Sequence, residues 1–339
     1  MKVRFFDPGK GYKAHQKEYD AAIKRVLKAG QLILQEDGEL FEKNLAEYVG
    51  TQYALALNSG TDALYLALRA IGIGPGDEVL VPSHTFVATP QVVAQLRAKP
   101  VLYENDEFDI KTTTKAVMVA HIAGEFQTNM QTLSKVLMGF NVPIIEDAAQ
   151  AIGAEQNGKK AGSIGVAGCF SFYPAKILGS FGDAGGLVTN DKYIYEEVRE
   201  LRNHYKKDYS KWGINSRLDN IQAAILNVKL KYLPEILKRR KEVAHKYLKN
   251  LKGVGLPNTV EGRVWQDFII KSDNRERLYQ LLKENGVETM RNDCPFPIQK
   301  LPASLEYESK TLRIPCNENL TDTEVDYVIE KTNEYADVR

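Results

Sequence analysis

An α/β fold with a mainly parallel central sheet is what this sequence predicts, and three observations predict it. Short apolar runs alternate with segments of helical periodicity from residue 53 to about residue 150. The spacing between runs leaves room for helices that cover a sheet on both faces. Polar residues capable of chemistry fall at the ends of these runs, where ligands collect in such sheets.

The elements follow in order. Residues 14–27 have helical periodicity, with Tyr19, Ala22, Ile23 and Val26 on one side, and Gly30 stops that helix. Residues 39–49 read as a second helix. Tyr53-Ala54-Leu55-Ala56-Leu57 is a strand, followed by Asn58-Ser59-Gly60-Thr61-Asp62 and a helix over 63–71. Strands are expected at 78–82, 99–103, 116–120 and 142–145, with a helix at 87–96. After Asn190-Asp191 the strand signal fades, and a helical stretch over 220–248 is broken or kinked at Tyr232-Leu233-Pro234. Asp267-Phe268-Ile269-Ile270 reads as a strand, and 274–285 as a helix ended by Gly286. Residues 1–230 are therefore expected to form a large domain and 231–339 a smaller α+β domain.

Composition narrows the function classes. With 43% hydrophobic and 26% charged residues, the chain has the make-up of an ordinary soluble globular protein. Lys+Arg 45 against Asp+Glu 44 leaves a net charge of +1, which provides no global field for nucleic acid. Cys169, Cys294 and Cys316 have neither metal-ligand nor redox-motif spacing and fit a reduced compartment. The N-terminus has no apolar signal core, and no run approaches the roughly 18 apolar residues of a membrane span. A cytoplasmic location without membrane association is expected.

The chemistry is carried by Lys176 and its surroundings. Ser171-Phe172-Tyr173-Pro174-Ala175-Lys176 closes an apolar run and opens onto the glycine-rich Gly179-Ser180-Phe181-Gly182-Asp183-Ala184-Gly185-Gly186. Twenty-nine residues before Lys176, the run Val142-Pro143-Ile144-Ile145 ends in Glu146-Asp147-Ala148-Ala149-Gln150. An acid ending a buried strand, followed by a lysine on a later turn, is what pyridoxal phosphate requires. The amine holds the cofactor as a Schiff base, and the carboxylate keeps the pyridine nitrogen protonated so that the ring can draw electrons from a carbanion. Alone, Lys176 reads as a solvated surface lysine and Asp147 equally as a helix N-cap. A carboxylate ending an apolar strand is, however, costly to bury without a cationic partner.

Other segments fit the same site. Gly60 and Thr61 lie between a strand and a helix, where free N–H groups can meet a phosphate, although a plain helix cap has the same signature. Phe86 follows a buried strand and suits stacking on a pyridine ring, or the core. Gln150 suits the ring hydroxyl or a capping bond, and Ser171 the phosphate. Gly213-Ile214-Asn215-Ser216-Arg217-Leu218-Asp219 precedes a helix apolar on nearly every side, which is expected to pack against a partner chain as well as its own core.

In combination and order, these motifs resemble the DegT/StrS-type sugar aminotransferases over almost the whole chain. The resemblance rests on the segments 58–64, 146–150, 171–176, 182–186 and 213–224. It implies the aspartate aminotransferase-like fold (PLP-dependent transferase fold type I) and a homodimer with shared active sites. It also implies Lys176 as the Schiff-base lysine, Asp147 as pyridinium partner and Gln150 as ligand of the ring hydroxyl. Gly60, Thr61 and Ser171 resemble the phosphate ligands, Phe86 the stacking aromatic, and Asn215 the residue reaching the neighbouring subunit's cofactor phosphate. Arg217 then lies at the substrate mouth.

Departures from the family pattern bear on the substrate. Gln35-Glu36-Asp37 stands in place of a glycine-containing turn, Leu32 in place of an aromatic, and the segment between Tyr103 and Lys115 is short. Asn292-Asp293-Cys294-Pro295-Phe296-Pro297 replaces the usual His-Tyr-Pro-x-Pro near the substrate. The implied activity is transfer of an amino group from L-glutamate to a nucleotide-linked ketosugar. The Asn-Ser-Arg-Leu-Asp form at 215–219 resembles enzymes acting at carbon 3. The alternatives are a 4-keto nucleotide sugar, a keto-cyclitol, and a cofactor-bound regulatory protein without turnover. Dehydratase relatives carry histidine in place of the lysine, so Lys176 argues against that branch.

Overall fold

The structure, a computed structural model, describes residues 1–337 except Asp106, Gln127, Thr128 and 294–296. Its centre is a seven-stranded sheet in the order β1-β9-β8-β5-β4-β2-β3. In chain order the strands are β1 (Tyr53–Leu57), β2 (Glu78–Pro82), β3 (Lys99–Tyr103), β4 (Thr114–Ala120) and β5 (Ile144–Asp147), then the short pair β6 (Glu155–Gln156) and β7 (Lys159–Lys160), then β8 (Ala167–Ser171) and β9 (Gly185–Thr189). Strands β8, β5, β4, β2 and β3 run parallel, while β9 is antiparallel to both neighbours, β8 and β1.

The two faces carry different helices. Along β1, Ala54 and Ala56 enter one core and Leu55 and Leu57 the other, as strand alternation requires. The first core receives α3 (Glu36–Val49), through Phe41 and Leu45, and α6 (Met130–Met138). The second receives α4 (Gly60–Ala70), α5 (Ala88–Gln95) and α7 (Lys192–Leu201). Ser59 caps α4 by accepting from the Asp62 N–H at 3.0 Å, and Asp191 caps α7 by accepting from Tyr193 and Ile194.

Before the sheet come α1 (Pro8–Ala14) and α2 (Gln16–Ala29), the latter ended by Gly30 in the left-handed region. After it, α8 (Asn220–Lys231) and α9 (Leu233–Asn250) are separate helices; Pro234 starts α9, where its missing N–H has no cost. Helix α8, expected from its sequence to pack against a partner chain as well as its own core, has much of its apolar surface covered within the chain. Ala224, Ile225 and Val228 pack against Tyr19, Ala22 and Val26 of α2 in the same chain, while Ala223 and Leu226 join the core beneath α3. The strand expected at 142–145 also runs later, through Asp147, because Glu146 and Asp147 pair in register with Val119 and Ala120 of β4.

A second sheet, β10 (Phe268–Lys271), β12 (Thr311–Ile314) and β11 (Met290–Arg291), is antiparallel throughout. One of its faces packs on α10 (Arg275–Glu284), α12 (Asp322–Asp337) and the later half of α9; α11 (Pro302–Lys310) leads into β12. Helix α9 joins the two bodies: Leu233 and Ile236 belong to the first core, Val243 and Tyr247 to that of the second sheet. Val3, near the start of the chain, is buried in this second core and bridges to Val287. No helix among the described residues is long and apolar enough to cross a membrane.

Candidate active site

The carboxyl ends of β5 and β8 and the start of α4 converge. Gly60 lies so close to Ser171 that an added Cβ would sit 2.9 Å from the Ser171 Cβ. Opposite, a Cβ on Gly185 would fall 2.1 Å from the Ser59 carbonyl carbon, so β9 can pass the α4 N-terminus only as glycine. Thr61, in the first turn of α4, and Ser171 are half-buried. The Ser171 hydroxyl accepts from the Tyr173 N–H at 3.4 Å, a long contact that leaves it available. Free N–H groups and a hydroxyl around one point form a cradle for a phosphate.

Two adjacent acids end β5, and their surroundings separate their roles. Glu146 is fully buried and accepts from the N–H groups of Gly162, Ile164 and Gly165 at 2.8, 2.7 and 2.6 Å, with His121 Nε2 3.0 Å away. Its oxygens are committed to holding that loop. Among the described residues the Asp147 carboxyl accepts only from Thr89 Oγ1 at 2.8 Å and the Ala149 N–H at 3.2 Å. A turn follows Asp147, so it caps no helix. Burial pushes its carboxyl above the usual range; the two hydrogen bonds and the charges of Lys176 and His121 act the other way. Among the described residues Asp147 forms no ion pair. A protonated ring nitrogen is the partner this carboxylate lacks, and this fits pyridoxal phosphate to the site.

Lys176 is half-buried at the end of a turn in which its own N–H bonds the Tyr173 carbonyl at 2.8 Å. Burial holds its amine below the ordinary lysine value, against the opposing pull of the Asp267 and Asp147 carboxylates. An amine displaced in this direction is closer to the neutral form that can act as nucleophile and base.

The remaining expected residues lie around this centre. Gln150 accepts from the Ala123 N–H at 2.8 Å, which leaves its amide nitrogen without a partner among the described residues. Phe86 follows β2 and is 58% exposed, so it is not a core residue of this chain. Asn215 is exposed, and Arg217 donates to Asn203 Oδ1 at 3.0 Å while its buried Nε has no partner among the described residues. Ser216, between them, accepts from the Asn58 N–H at 3.2 Å, which ties this loop to the end of β1. Of 292–297, residues 294–296 lie outside the described residues.

Sequence reasoning missed Gln266, which is buried just ahead of β10. Its Oε1 accepts from the Ile177 N–H at 3.0 Å and its Nε2 donates to the Ala175 carbonyl at 3.1 Å. One amide thus holds the peptide groups on both sides of Lys176. A glutamine before an apolar run has no local signature of such a role. Thr89 was missed in the same way: Thr85 and Thr89 hydroxyls lie 2.8 Å apart, both buried, in a chain ending on Asp147. Beside this centre a cleft of about 740 Å³ opens between the ends of β2–β4 and the second sheet, bordered by His84, Ala123, Ile269 and Lys271.

Fold and site together define a pyridoxal-phosphate enzyme of fold type I. The chain belongs to the DegT/DnrJ/EryC1/StrS aminotransferase family, whose model it matches over residues 13–333. It is 36% identical to the dTDP-3-amino-3,4,6-trideoxy-alpha-D-glucose transaminase of Streptomyces venezuelae, over 99% of this chain and 97% of that one. It is 37% identical to the UDP-2-acetamido-2-deoxy-3-oxo-D-glucuronate aminotransferase of Pseudomonas aeruginosa, over 86% of each. Among solved structures, S. venezuelae DesV in complex with a ketimine intermediate superposes with a TM-score of 0.92 at 36% identity, covering 99% of this chain and 98% of that one.

Proposed function

We propose that this protein transfers the amino group of L-glutamate to carbon 3 of a nucleotide-linked ketosugar, acting in the cytoplasm as a homodimer with shared active sites. The single observation that carries the chemistry is a half-buried Lys176 beside Asp147, a buried carboxylate with no ion-pair partner among the described residues. The choice of substrate and of carbon 3 is supported by the names of the two relatives above.

Pyridoxal phosphate, when bound, supplies an electron sink for the negative charge that forms on substrate carbon. Lys176 would hold its aldehyde carbon and Asp147 its ring N–H. The backbone at Gly60 and Thr61, with the Ser171 hydroxyl, would hold the phosphate. Phe86 would cover one ring face, and the free amide nitrogen of Gln150 would donate to the ring hydroxyl. Lys176 Nζ would take the proton from the donor's α-carbon, and the burial that lowers its basicity favours the neutral form able to do so. Asn215 and Arg217 of each chain would complete the other chain's site, Arg217 facing the nucleotide's diphosphate with its planar fork.

The test is direct. Purified protein mixed with L-glutamate should lose the absorbance of its bound cofactor and release 2-oxoglutarate, and a nucleotide 3-ketosugar should restore the absorbance. Lys176→Ala should do neither. Unchanged absorbance with no 2-oxoglutarate would refute the glutamate reading, and restoration by a 4-ketosugar alone would move the reaction to carbon 4.

A further inference from the structure

The second sheet brings more to Lys176 than the Gln266 amide. The next residue, Asp267, is buried, and its Oδ2 lies 3.3 Å from Nη1 of Arg313 on β12. Arg313 Nε donates to Asn292 Oδ1 at 2.8 Å, and buried Asn292 donates in turn to Thr311 Oγ1 at 3.2 Å. Asn292 begins the segment where the sequence departs from its family near the substrate. Arg313 pairs in register with Ile269, which places it on the sheet face that carries Ile269 and Lys271 to the cleft.

Two of the guanidinium's five N–H groups are therefore engaged, one on Nε and one on Nη1. Nη2 has no partner among the described residues, and the side chain is 17% exposed. If Arg313 served only to neutralise Asp267, a close two-bond pairing near 2.7–2.9 Å would be expected. Instead the contact to Asp267 is single and long, and Asn292 fixes the rotation of the group. What remains open is the flat edge formed by Nη1 and Nη2, oriented and already largely desolvated. Such an edge suits a carboxylate, whose two oxygens match its two parallel donors.

We propose that Arg313 is the carboxylate-binding residue of this site, its open edge taking an acid group of a substrate positioned against Lys176. The inference rests on the transaminase reading above. Two substrates could carry the acid: the amino donor, or a sugar oxidised to a uronic acid, as in the relative named for 3-oxo-glucuronate. Asp267, 3.3 Å from Arg313, also favours the protonated form of Lys176.

The decisive measurement uses the unmodified holoenzyme. Phenylglyoxal reacts with accessible arginines, and mass spectrometry reads the rate at Arg313. Glutarate, a dicarboxylate without an amine, should slow that rate at least fivefold if the donor's acid binds there. UDP-glucuronate, and not UDP-glucose, should do so if the sugar's acid binds there. Protection by neither overturns the proposal. Binding is read without turnover, so the result stands apart from whether glutamate is the donor. As a second arm, Arg313→Gln should weaken the apparent affinity for the same acid by about thirtyfold, the order lost with charge-assisted hydrogen bonds. The saturating rate should fall less, and Arg313→Lys should recover part of the affinity. Affinities for both acids within threefold of the parent, in a variant of unchanged melting temperature, also overturn it. Should Arg313→Gln fail to fold, the protection experiment decides alone.

Discussion

Gln266→Met tests whether the second sheet holds the catalytic turn. The substitution keeps the approximate length and volume of the side chain and removes both polar ends. Two main-chain groups then lose their partner: the Ile177 N–H, bonded at 3.0 Å, and the Ala175 carbonyl, bonded at 3.1 Å. Gln266 is only 8% exposed, so water does not readily replace it. Each buried group left unsatisfied costs about 1–3 kcal/mol, and partial relaxation of the turn brings the pair to about 2–4 kcal/mol. Gln266→Ala should cost about 1 kcal/mol more through the cavity it leaves. Urea unfolding of the cofactor-free protein measures the loss. A second assay measures function: the rate at which that protein captures pyridoxal phosphate on Lys176, read by borohydride trapping and mass spectrometry. The Met variant should capture at least tenfold more slowly, because the lysine no longer starts from a fixed position. Stability within 0.5 kcal/mol of the parent together with an unchanged capture rate would refute the argument.

Other outcomes follow from the same geometry. Asp147→Asn should slow the reaction with L-glutamate at least a hundredfold while stabilising the cofactor-free protein at neutral pH. Its folded carboxyl is raised above the ordinary 3.8, so stability falls as pH climbs from that ordinary value towards the raised one, and the full loss is present above it; a loss of melting temperature with normal chemistry would reduce Asp147 to a structural residue. Capture of the cofactor by Lys176 should rise with pH to a midpoint below the ordinary 10.5, and Asp267→Asn should move that midpoint lower by removing a charge that favours the ammonium. A midpoint at or above 10.5 would contradict the burial of the amine. Mixing inactive Lys176→Ala with inactive Asn215→Asp/Arg217→Ala should regenerate activity on subunit exchange, since one site of each heterodimer then carries neither lesion. No recovery despite demonstrated exchange would assign the loop to its own chain.

The strands β1, β2 and β3 begin and end where the sequence places them, because each reads as a short apolar run bounded by turn residues. Strand β9 was harder to see. Its sequence Gly185-Gly186-Leu187-Val188-Thr189 opens with glycines that suggest a loop, yet the Ser59 backbone leaves no room for a Cβ on Gly185, and one on Gly186 would press on Leu45 and Phe172. The apolar excess of α8 was legible, but its cover was not: α2 lies some two hundred residues earlier in the chain, and nothing local distinguishes it from a partner subunit. Asp147, Ser171 and Gly60 could be placed from the sequence because each terminates or begins an element, and Lys176 because it lies on the turn just after β8. Gln266, Thr89 and Arg313 act through contacts made only once distant segments meet, and no spacing within the sequence encodes such contacts.

The grip of Gln266 on Lys176 also has a meaning for biosynthesis. The seven strands of the first sheet are all translated by residue 189, so that sheet can assemble while the rest of the chain is still being made. Its lysine turn, however, stays without its clasp until residue 266 has emerged, and Val3 waits for Val287 before the N-terminal segment can dock. A nascent or truncated chain would thus expose a reactive amine on an unfastened loop. The fixed position of Lys176 therefore depends on a segment made well after the sheet that carries it.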